Sequence, residues 1–441
     1  MMLQLSRYQW TVLIAAWLGW GFDIFDGLLF NYVAPNCVPT LLGLKIGSPE
    51  AKQATLFWTG LMTSVLLVGW AVGGIVFGRL CDRIGRSKTL ILTMLLYSVG
   101  TFLCAFAPNI YVLLLCRLIA SLGIGGEWAA GASMVAEVVP EKKRVEAGAF
   151  LYTSAPMGLF LATFVNDQIA RVAFVDQPEV SWRYVLLCGL IPAGVAFLFR
   201  LFVREPERWQ AASATASRSQ WGEIFGPYRR ETISGVLMAL VALLAWWSCN
   251  AFIPVIAAGL AQLDAKALGL TEPKQIQGVV EHWKTWTTYA FNLGGLIGTL
   301  LTIPAAKLLG RKPMFAIYYL LSGLAIMSAF SGYAGRNMEA WALSYFFIGV
   351  TVFGVFGSFT YYLPELFPTR LRATGAGFCY NIGRTLTAVG PFLVGYIASH
   401  KSNALGEAIQ LLFWVGVAPL VGALLSLTPL VKETKGEVLA D

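Results

Sequence analysis

Long, nearly uncharged apolar runs recur from one end of the chain to the other, and they limit the possible folds more than any other feature. A run of about 20 apolar residues crosses the hydrocarbon core of a bilayer as a helix. The sequence therefore predicts an all-α membrane protein with twelve spanning helices. The predicted spans are 10–34, 56–80, 88–107, 109–138, 144–170, 182–203, 232–262, 281–308, 313–333, 337–363, 372–399 and 406–431.

The composition agrees with a chain embedded in lipid. Of its 441 residues, 57% are hydrophobic and 13% are charged, whereas soluble domains carry about 25% charged residues. Glycine is abundant, and small residues four positions apart let helices approach closely in a membrane. This spacing occurs at Gly69/Gly73, Gly74/Gly78 and Gly294/Gly298.

The net charge of +8 is arranged by loop rather than gathered into one basic surface. With the N-terminus taken as cytoplasmic, twenty-one of the 32 Lys and Arg residues fall in inside segments and nine in outside segments, Arg183 and Lys284 among the nine. Arg117 and Arg384 lie within spans. This bias follows the positive-inside rule, so both termini are predicted to be cytoplasmic. The basicity is topological and argues against nucleic-acid binding.

A polar interruption divides the chain into two hydrophobic halves. We expect a six-helix bundle over 1–203, a cytoplasmic loop over 204–231, and a second six-helix bundle with a short cytoplasmic tail over 232–441. Such halves, when duplicated, place the substrate site near the midplane where they meet.

Two weak repeats support the duplication. Gly85-Arg86 recurs as Gly310-Arg311, and the acid-to-proline segment 137–140 recurs as 365–368. In each repeat, the two copies follow equivalent predicted helices of the two halves. The distance along the chain between the copies is nearly the same for both repeats.

The loop between the second and third spans carries the most specific motif. Residues 78–88 read GRLCDRIGRSK, which resembles the signature loop of the major facilitator superfamily, G-x-x-x-D-R-x-G-R-x-K. The resemblance implies that the loop latches one conformation of the transporter; the alternative is a solvated positive-inside loop. The latch residues it implies are Gly78, Asp82, Arg83, Gly85 and Arg86. The second copy departs from the pattern, because Lys307 stands where the acid would be.

Further stretches resemble two branches of that superfamily. Residues 204–209 (REPERW) and 432–436 (KETKG) are similar to cytoplasmic charge motifs of sugar porters. Residues 117–128 (RLIASLGIGGEW), 380–384 (YNIGR) and 23–26 (DIFD) are similar to helices of the organic-acid:proton symporter branch. The resemblance implies a secondary active symporter that carries a small organic anion with protons by alternating access.

Charged residues inside a span are costly and mark functional sites. Asp23 and Asp26 share one face of the first helix. Asp26 and Arg117 each lie eight residues, or ~12 Å, below the outer end of their helices, so the two are able to pair. Sugar:proton symporters of the superfamily place an acid on helix 1 beside an arginine on helix 4, and the resemblance carries proton coupling onto Asp26 and Arg117. A static ion pair is the alternative reading, and Asp23 either shares the proton or belongs to a polar network.

Arg384 is predicted near the midplane of the eleventh helix, which has no acid of its own to neutralise it. A substrate carboxylate would do so, because guanidinium binds carboxylate as a bidentate fork. Pairing with a distant acid such as Asp23, or with carbonyls at a helix C-terminus, is the alternative. Asn381 precedes Arg384 by three residues and shares its face. The other candidate pocket residues are Tyr152, Trp246, Trp247, Asn250, Tyr289 and Asn292.

Acids near the predicted inner helix ends suggest gate contacts. We expect Glu137 to pair with Arg144, and Glu365 with Arg372, on the cytoplasmic side. Glu127 lies deeper and is interpreted as bracing the contact between helices 1 and 4.

The remaining sequence features argue against other classes of protein. Its histidines are His282 and His400, both near predicted helix ends, and no nucleotide loop, metal cluster or nucleophile motif is found, so an enzyme or an ATP-driven pump is disfavoured. We expect no cofactor other than H⁺ as coupling ion, with Na⁺ as the open alternative, and a monomer in the inner or plasma membrane. A sugar or other neutral-solute porter, coupled or uncoupled, remains the nearest rival.

Overall fold

The computed structural model describes residues 5–84, 86–140, 143–190, 194, 221–332, 337–367 and 371–435. Within these ranges only the backbone is described at 78–79, 81–83, 86–87, 126–134, 136–137, 144, 221, 364 and 372–373.

The described residues form helices joined by short turns, as the apolar runs predict. Eight of the described segments are long and apolar enough to cross a membrane. We number the helical rods by the span to which each corresponds. They are α1 Arg7–Leu41, α2 Pro49–Ile84, α3 Arg86–Cys104, α4 Ile110–Val138, α5 Arg144–Tyr152 continued by Ser154–Asn166 and a π-helical end Asp167–Ala173, α6 Pro178–Leu187, α7 Arg229–Ala267, α8 Pro273–Leu308, α9 Arg311–Phe330, α10 Met338–Glu365, α11 Arg372–Thr387 continued by Val389–Ser399, and α12 Ala404–Val415 continued by Val417–Leu427.

Several rods extend beyond the predicted spans. The clearest case is α8, which begins at Pro273 although its apolar run was placed from 281. Its first turns carry polar and charged residues, so the apolar run does not reveal that the helix has already begun. Lys284, assigned to an outside segment from the sequence, is instead fully buried within this helix. The predicted end of the sixth span at 203 lies outside the described residues.

Small residues bring the rods into close contact inside each half. In the second half, a Cβ added at Gly294 of α8 would lie 2.0 Å from the Phe346 carbonyl oxygen of α10. A Cβ added at Gly298 would lie 1.9 Å from the Val350 carbonyl oxygen of the same helix. In the first half, a Cβ on Gly73 of α2 would lie 2.0 Å from the Leu122 carbonyl oxygen of α4. These approaches explain the glycine spacing, since any side chain there would push the helices apart.

The two halves meet along α1, α2 and α5 on one side and α7, α8, α10 and α11 on the other. A Cβ on Gly60 of α2 would lie 2.4 Å from the Pro391 carbonyl oxygen of α11. The halves are therefore in backbone contact at this seam. A cavity between them holds the candidate site.

The start of α1 and the segment that follows α12 lie on one face of the bundle. Gln9, at the start of α1, donates to the Val138 carbonyl at the end of α4. Glu146, at the start of α5, pairs with Lys307 at the end of α8. Lys312, at the start of α9, donates to the Thr428 carbonyl after α12. We call this the termini face and the opposite one the far face.

Candidate functional site

The central cavity lies between the halves and is lined mainly by aromatic rings. Its lining residues are Trp20, Asp23, Ile24, Trp70, Ile124 and Tyr152 from the first half and Trp246, Trp247, Phe356, Tyr380 and Arg384 from the second. Its volume is about 30 Å³, enough for roughly two water molecules. The halves are thus closed around the site, and a solute of metabolite size needs them to move apart.

Arg384 is the cation of this cavity and is 4% exposed. Its guanidinium lies 4.9 Å from the ring centre of Trp70 and 4.7 Å from that of Tyr380. Nη1 donates to Oδ1 of Asn381 at 3.1 Å. Within the described part of the chain, Nε has no hydrogen-bond acceptor and the guanidinium forms no ion pair. Ring faces offset the charge only in part, so the cavity is suited to an anion.

Asp26 and Arg117 come together, but through the backbone of α1. Arg117 is 1% exposed and donates to the carbonyl oxygens of Asp26 and Gly27. The Asp26 carboxylate instead accepts from Oγ1 of Thr101 in α3 at 2.6 Å. Among the described residues its second oxygen, Oδ1, has no hydrogen-bond donor. The reason is geometric: the Arg117 side chain extends from α4 to the backbone of α1, whereas the Asp26 carboxylate is directed towards α3.

This arrangement gives Asp26 two opposing influences. Burial disfavours the charged carboxylate. The threonine hydroxyl and the nearby guanidinium favour it. The two groups that favour the charged form come from α3 and α4, in the same half as α1.

The other predicted pocket residues fall into two groups. Tyr152 and Trp247 line the cavity, and Asn381 holds Arg384. Asn250, Asn292 and Tyr289 lie elsewhere between the halves. Asn250 accepts from Asn31 of α1 at 3.4 Å, Asn292 donates to Thr163 of α5 at 3.2 Å, and Tyr289 stacks on Phe160 of α5 at 5.8 Å.

Sequence reasoning missed several rings that shape the cavity. Trp20 packs on Tyr152 at 5.1 Å and Trp70 packs on Trp247 at 5.1 Å between ring centres. Trp20 lies three residues before Asp23, and that helical spacing from a buried charge was the available signal. Nothing comparable marks Trp70, because an aromatic in an apolar run usually faces lipid or a neighbouring helix.

On the termini face, Glu365 pairs with Arg311, while the side chain of its predicted partner, Arg372, lies outside the described residues. Nη2 and Nε of Arg311 reach its two oxygens at 2.7 and 3.1 Å. Arg311 belongs to the repeated Gly-Arg pair after α8, so the second copy of the loop forms a fork–carboxylate contact although it lacks the acid of the motif. The side chains of Asp82, Arg83, Arg86, Glu127, Glu137, Arg144 and Arg372, and residue Gly85, lie outside the described residues; Gly78 falls within the backbone of α2.

Residues 432–435 of the tail motif fold onto the same corner. Glu433 accepts from the backbone N–H groups of Arg311 and Lys312 at 2.8 and 3.0 Å, at the N-terminus of α9. Burial acts to raise the pKa of this carboxyl, but these amides and that of Lys435 outweigh it, and the net pKa lies below its usual value. Thr434 donates to Glu365 in addition. The tail therefore fixes the Arg311–Glu365 contact.

Replacement of Glu433 by Gln should destabilise the protein by roughly 0.5 kcal/mol near pH 7, because an exposed helix-terminus interaction is worth about that much. A carboxyl with a depressed folded-state pKa stabilises above its unfolded value of about 4.3 and loses that contribution as the pH falls through the folded value. The difference in unfolding midpoint between the two proteins, measured in micelles, should hence vanish in acid. A difference that stays constant with pH would contradict the ionised cap. Asp264→Asn at the end of α7 is the control for loss of one acid.

Comparisons with known proteins agree with this architecture. The family model described as Major Facilitator Superfamily matches residues 16–391. A probable 4-methylmuconolactone transporter of Cupriavidus pinatubonensis is 27% identical, covering 91% of this chain and 87% of its own. The sialic acid transporter NanX of Escherichia coli K12 is 27% identical, covering 90% and 89%. The crystal structure of a D-xylose-proton symporter matches with a TM-score of 0.73 at 19% identity, covering 98% of this chain and all of that one.

The last similarity shows the fold alone, whereas the family model spans most of the chain. Repeated helical rods, a cavity between two halves and buried charges in that cavity are what such a fold uses to move solutes rather than to catalyse reactions. The chain belongs to the major facilitator superfamily and is a multi-pass membrane transporter.

Proposed function

We propose that the protein is a proton-coupled symporter of a small organic anion that works by alternating access. The observation that carries this proposal is Arg384, a cation buried in a nearly closed cavity with an unused N–H and without an ion-pair partner among the described residues. A buried charge without compensation is costly. A substrate carboxylate would remove that cost by forming a fork with the guanidinium.

The cavity walls indicate the body of the substrate. Trp20, Trp70, Tyr152 and Trp247 surround the space beside Arg384. Rigid apolar rings favour a flat or ring-shaped solute, and few polar groups fix its orientation. A carboxylate on a ring or on a short unsaturated chain satisfies both features. The transporters named for 4-methylmuconolactone and sialic acid support an organic acid.

Two aspartates of α1 are available for the proton. Asp26 is buried against Thr101, and Asp23 lines the central cavity together with Arg384. We assign the coupling proton to Asp26, because its carboxylate is buried and one of its two oxygens has no hydrogen-bond donor among the described residues. Asp23 is placed to sense the substrate. Arg117 positions Asp26 by binding the α1 backbone.

The termini face is inferred to be cytoplasmic from the distribution of Lys and Arg, and the halves to be 1–203 and 232–441 around the 204–231 loop. Alternating access then consists of rocking one half against the other around the central cavity. The aromatic lining would also accept a sugar, which is the nearest alternative, but a neutral solute leaves Arg384 uncompensated.

Arg384→Gln should lower carboxylate uptake into proteoliposomes by at least 30-fold at low substrate concentration. Loss of one partner of a buried charged contact costs about 2–5 kcal/mol of binding. Arg384→Lys keeps the charge but not the fork, and an intermediate rate is expected. Arg171→Gln, outside the cavity, is the control. Carboxylate uptake that is unchanged in Arg384→Gln, or hexose uptake alone in the wild type, would contradict the assignment.

Asp26→Asn should abolish accumulation driven by an imposed proton gradient while part of the carboxylate exchange activity remains. Asparagine keeps the acceptor for Thr101 but cannot titrate, so the carrier still alternates when loaded on both sides. Uptake with and without the gradient is compared with exchange in the same vesicles. If the variant still accumulates substrate against its gradient, Asp26 is not the coupling site.

A further inference from the structure

A second group of buried charges lies in α8, away from the central cavity. Glu281 and Lys284 are both fully buried, and Oε2 of the acid lies 2.6 Å from Nζ of the lysine. They face one another one helical turn apart. The sequence did not single them out, since they stand at the polar start of the helix.

The carboxylate of Glu281 ties α8 to two helices of the other half. Oε1 accepts from Nδ2 of Asn36 in α1 at 3.0 Å, and Oε2 accepts from Nδ2 of Asn166 in α5 at 3.3 Å. Lys284 donates to the carbonyl of Tyr32 in α1 at 3.0 Å. We name Asn36, Asn166, Glu281 and Lys284 the bridging cluster.

The bridging cluster lies between two cavities. On its far-face side is a cavity of about 60 Å³ lined by residues of α1, α2, α7 and α8, Asn36 among them. On the other side is the central cavity, whose lining residue Ile24 precedes Asn36 by twelve residues, or ~18 Å along α1. One further contact across the halves, Asn31 to Asn250, lies between them. A solute passing from the far-face cavity to Arg384 has to cross these contacts.

The contacts of the bridging cluster divide into those that persist and those that break when the halves move apart. The Glu281–Lys284 pair belongs entirely to α8, so it moves with the second half and stays intact when the halves part. Its links to Asn36, Asn166 and Tyr32 all cross between halves and must then break. In the closed state the amides satisfy the buried carboxylate, and in the parted state water does so, which keeps either state free of an unsatisfied charge.

We propose that the bridging cluster is the gate that seals the central cavity on the far face, with Glu281 as its closing residue. The inference extends the proposed function, since it names the residues that control access to the same substrate site. On the termini face the corresponding contact between halves is Glu146–Lys307.

The test measures the rate at which the cysteine of the Ile24→Cys variant reacts with a thiol reagent, in the full-length protein in membranes. A membrane-impermeant thiol reagent is applied from either face, with a C-terminal tag identifying the termini face and the chain without the added cysteine giving the background. Asn36→Ala with Asn166→Ala removes the two amide donors that come from the first half and leaves the Glu281–Lys284 pair and the α8 donor Gln277 intact. We expect this double variant to react about tenfold faster from the far face, because hydrogen bonds between the halves that favour closure are lost.

Thr288→Val is the matched control on α8, since among the described residues its buried hydroxyl bonds only to backbone carbonyls of its own helix. It should leave the reactivity unchanged. An unchanged rate in a folded double variant, or an increase seen only from the termini face, would overturn the gate. Size-exclusion elution and the unfolding midpoint establish that the double variant is folded. The assay needs no substrate, so it remains informative if carboxylate transport fails.

Discussion

The charge of Arg384, held in a cavity that has almost no room for water, is the constraint on which the rest of the structure depends. Two aromatic faces and one amide offset that charge without neutralising it. The cavity is closed because rods from both halves approach to backbone contact, and glycine permits that approach. A site of this kind binds an anion strongly only when it is dry, and it becomes dry only when the halves close.

Contacts across the halves lie on both sides of the site, and they differ in character. Towards the termini face, Glu146 and Lys307 form a partly exposed ion pair whose strength water limits. Towards the far face, Glu281 makes buried hydrogen bonds to α1 and α5. The structure is therefore closed at both ends. This arrangement allows a cycle in which one set of contacts breaks while the other set holds.

The rods, the fold class and the intramembrane charges Asp26, Arg117 and Arg384 could be predicted from the sequence, because long apolar runs and isolated charges carry their own physical signal. Partners could not. Arg117 binds the α1 backbone and the Asp26 carboxylate accepts from Thr101, since side-chain direction across a bundle depends on helix rotation, which periodicity does not define. Glu281 and Lys284 escaped notice because a polar helix start resembles a loop. Trp20 was marked by its spacing from Asp23, whereas Trp70 could not be separated from lipid-facing rings without the packing.

The central claim, that one buried site binds an organic anion together with a proton, is tested most directly by measuring proton uptake on substrate binding. Purified protein in weak buffer is titrated with carboxylates and hexoses over the neutral range of pH, while quenching of the cavity tryptophans reports binding and a pH dye reports protons. Binding of proton and anion must favour one another if they are coupled. The account predicts carboxylate binding with proton uptake that is lost in Asp26→Asn. Carboxylate binding without any proton uptake, or binding and proton uptake with hexoses alone, would contradict it.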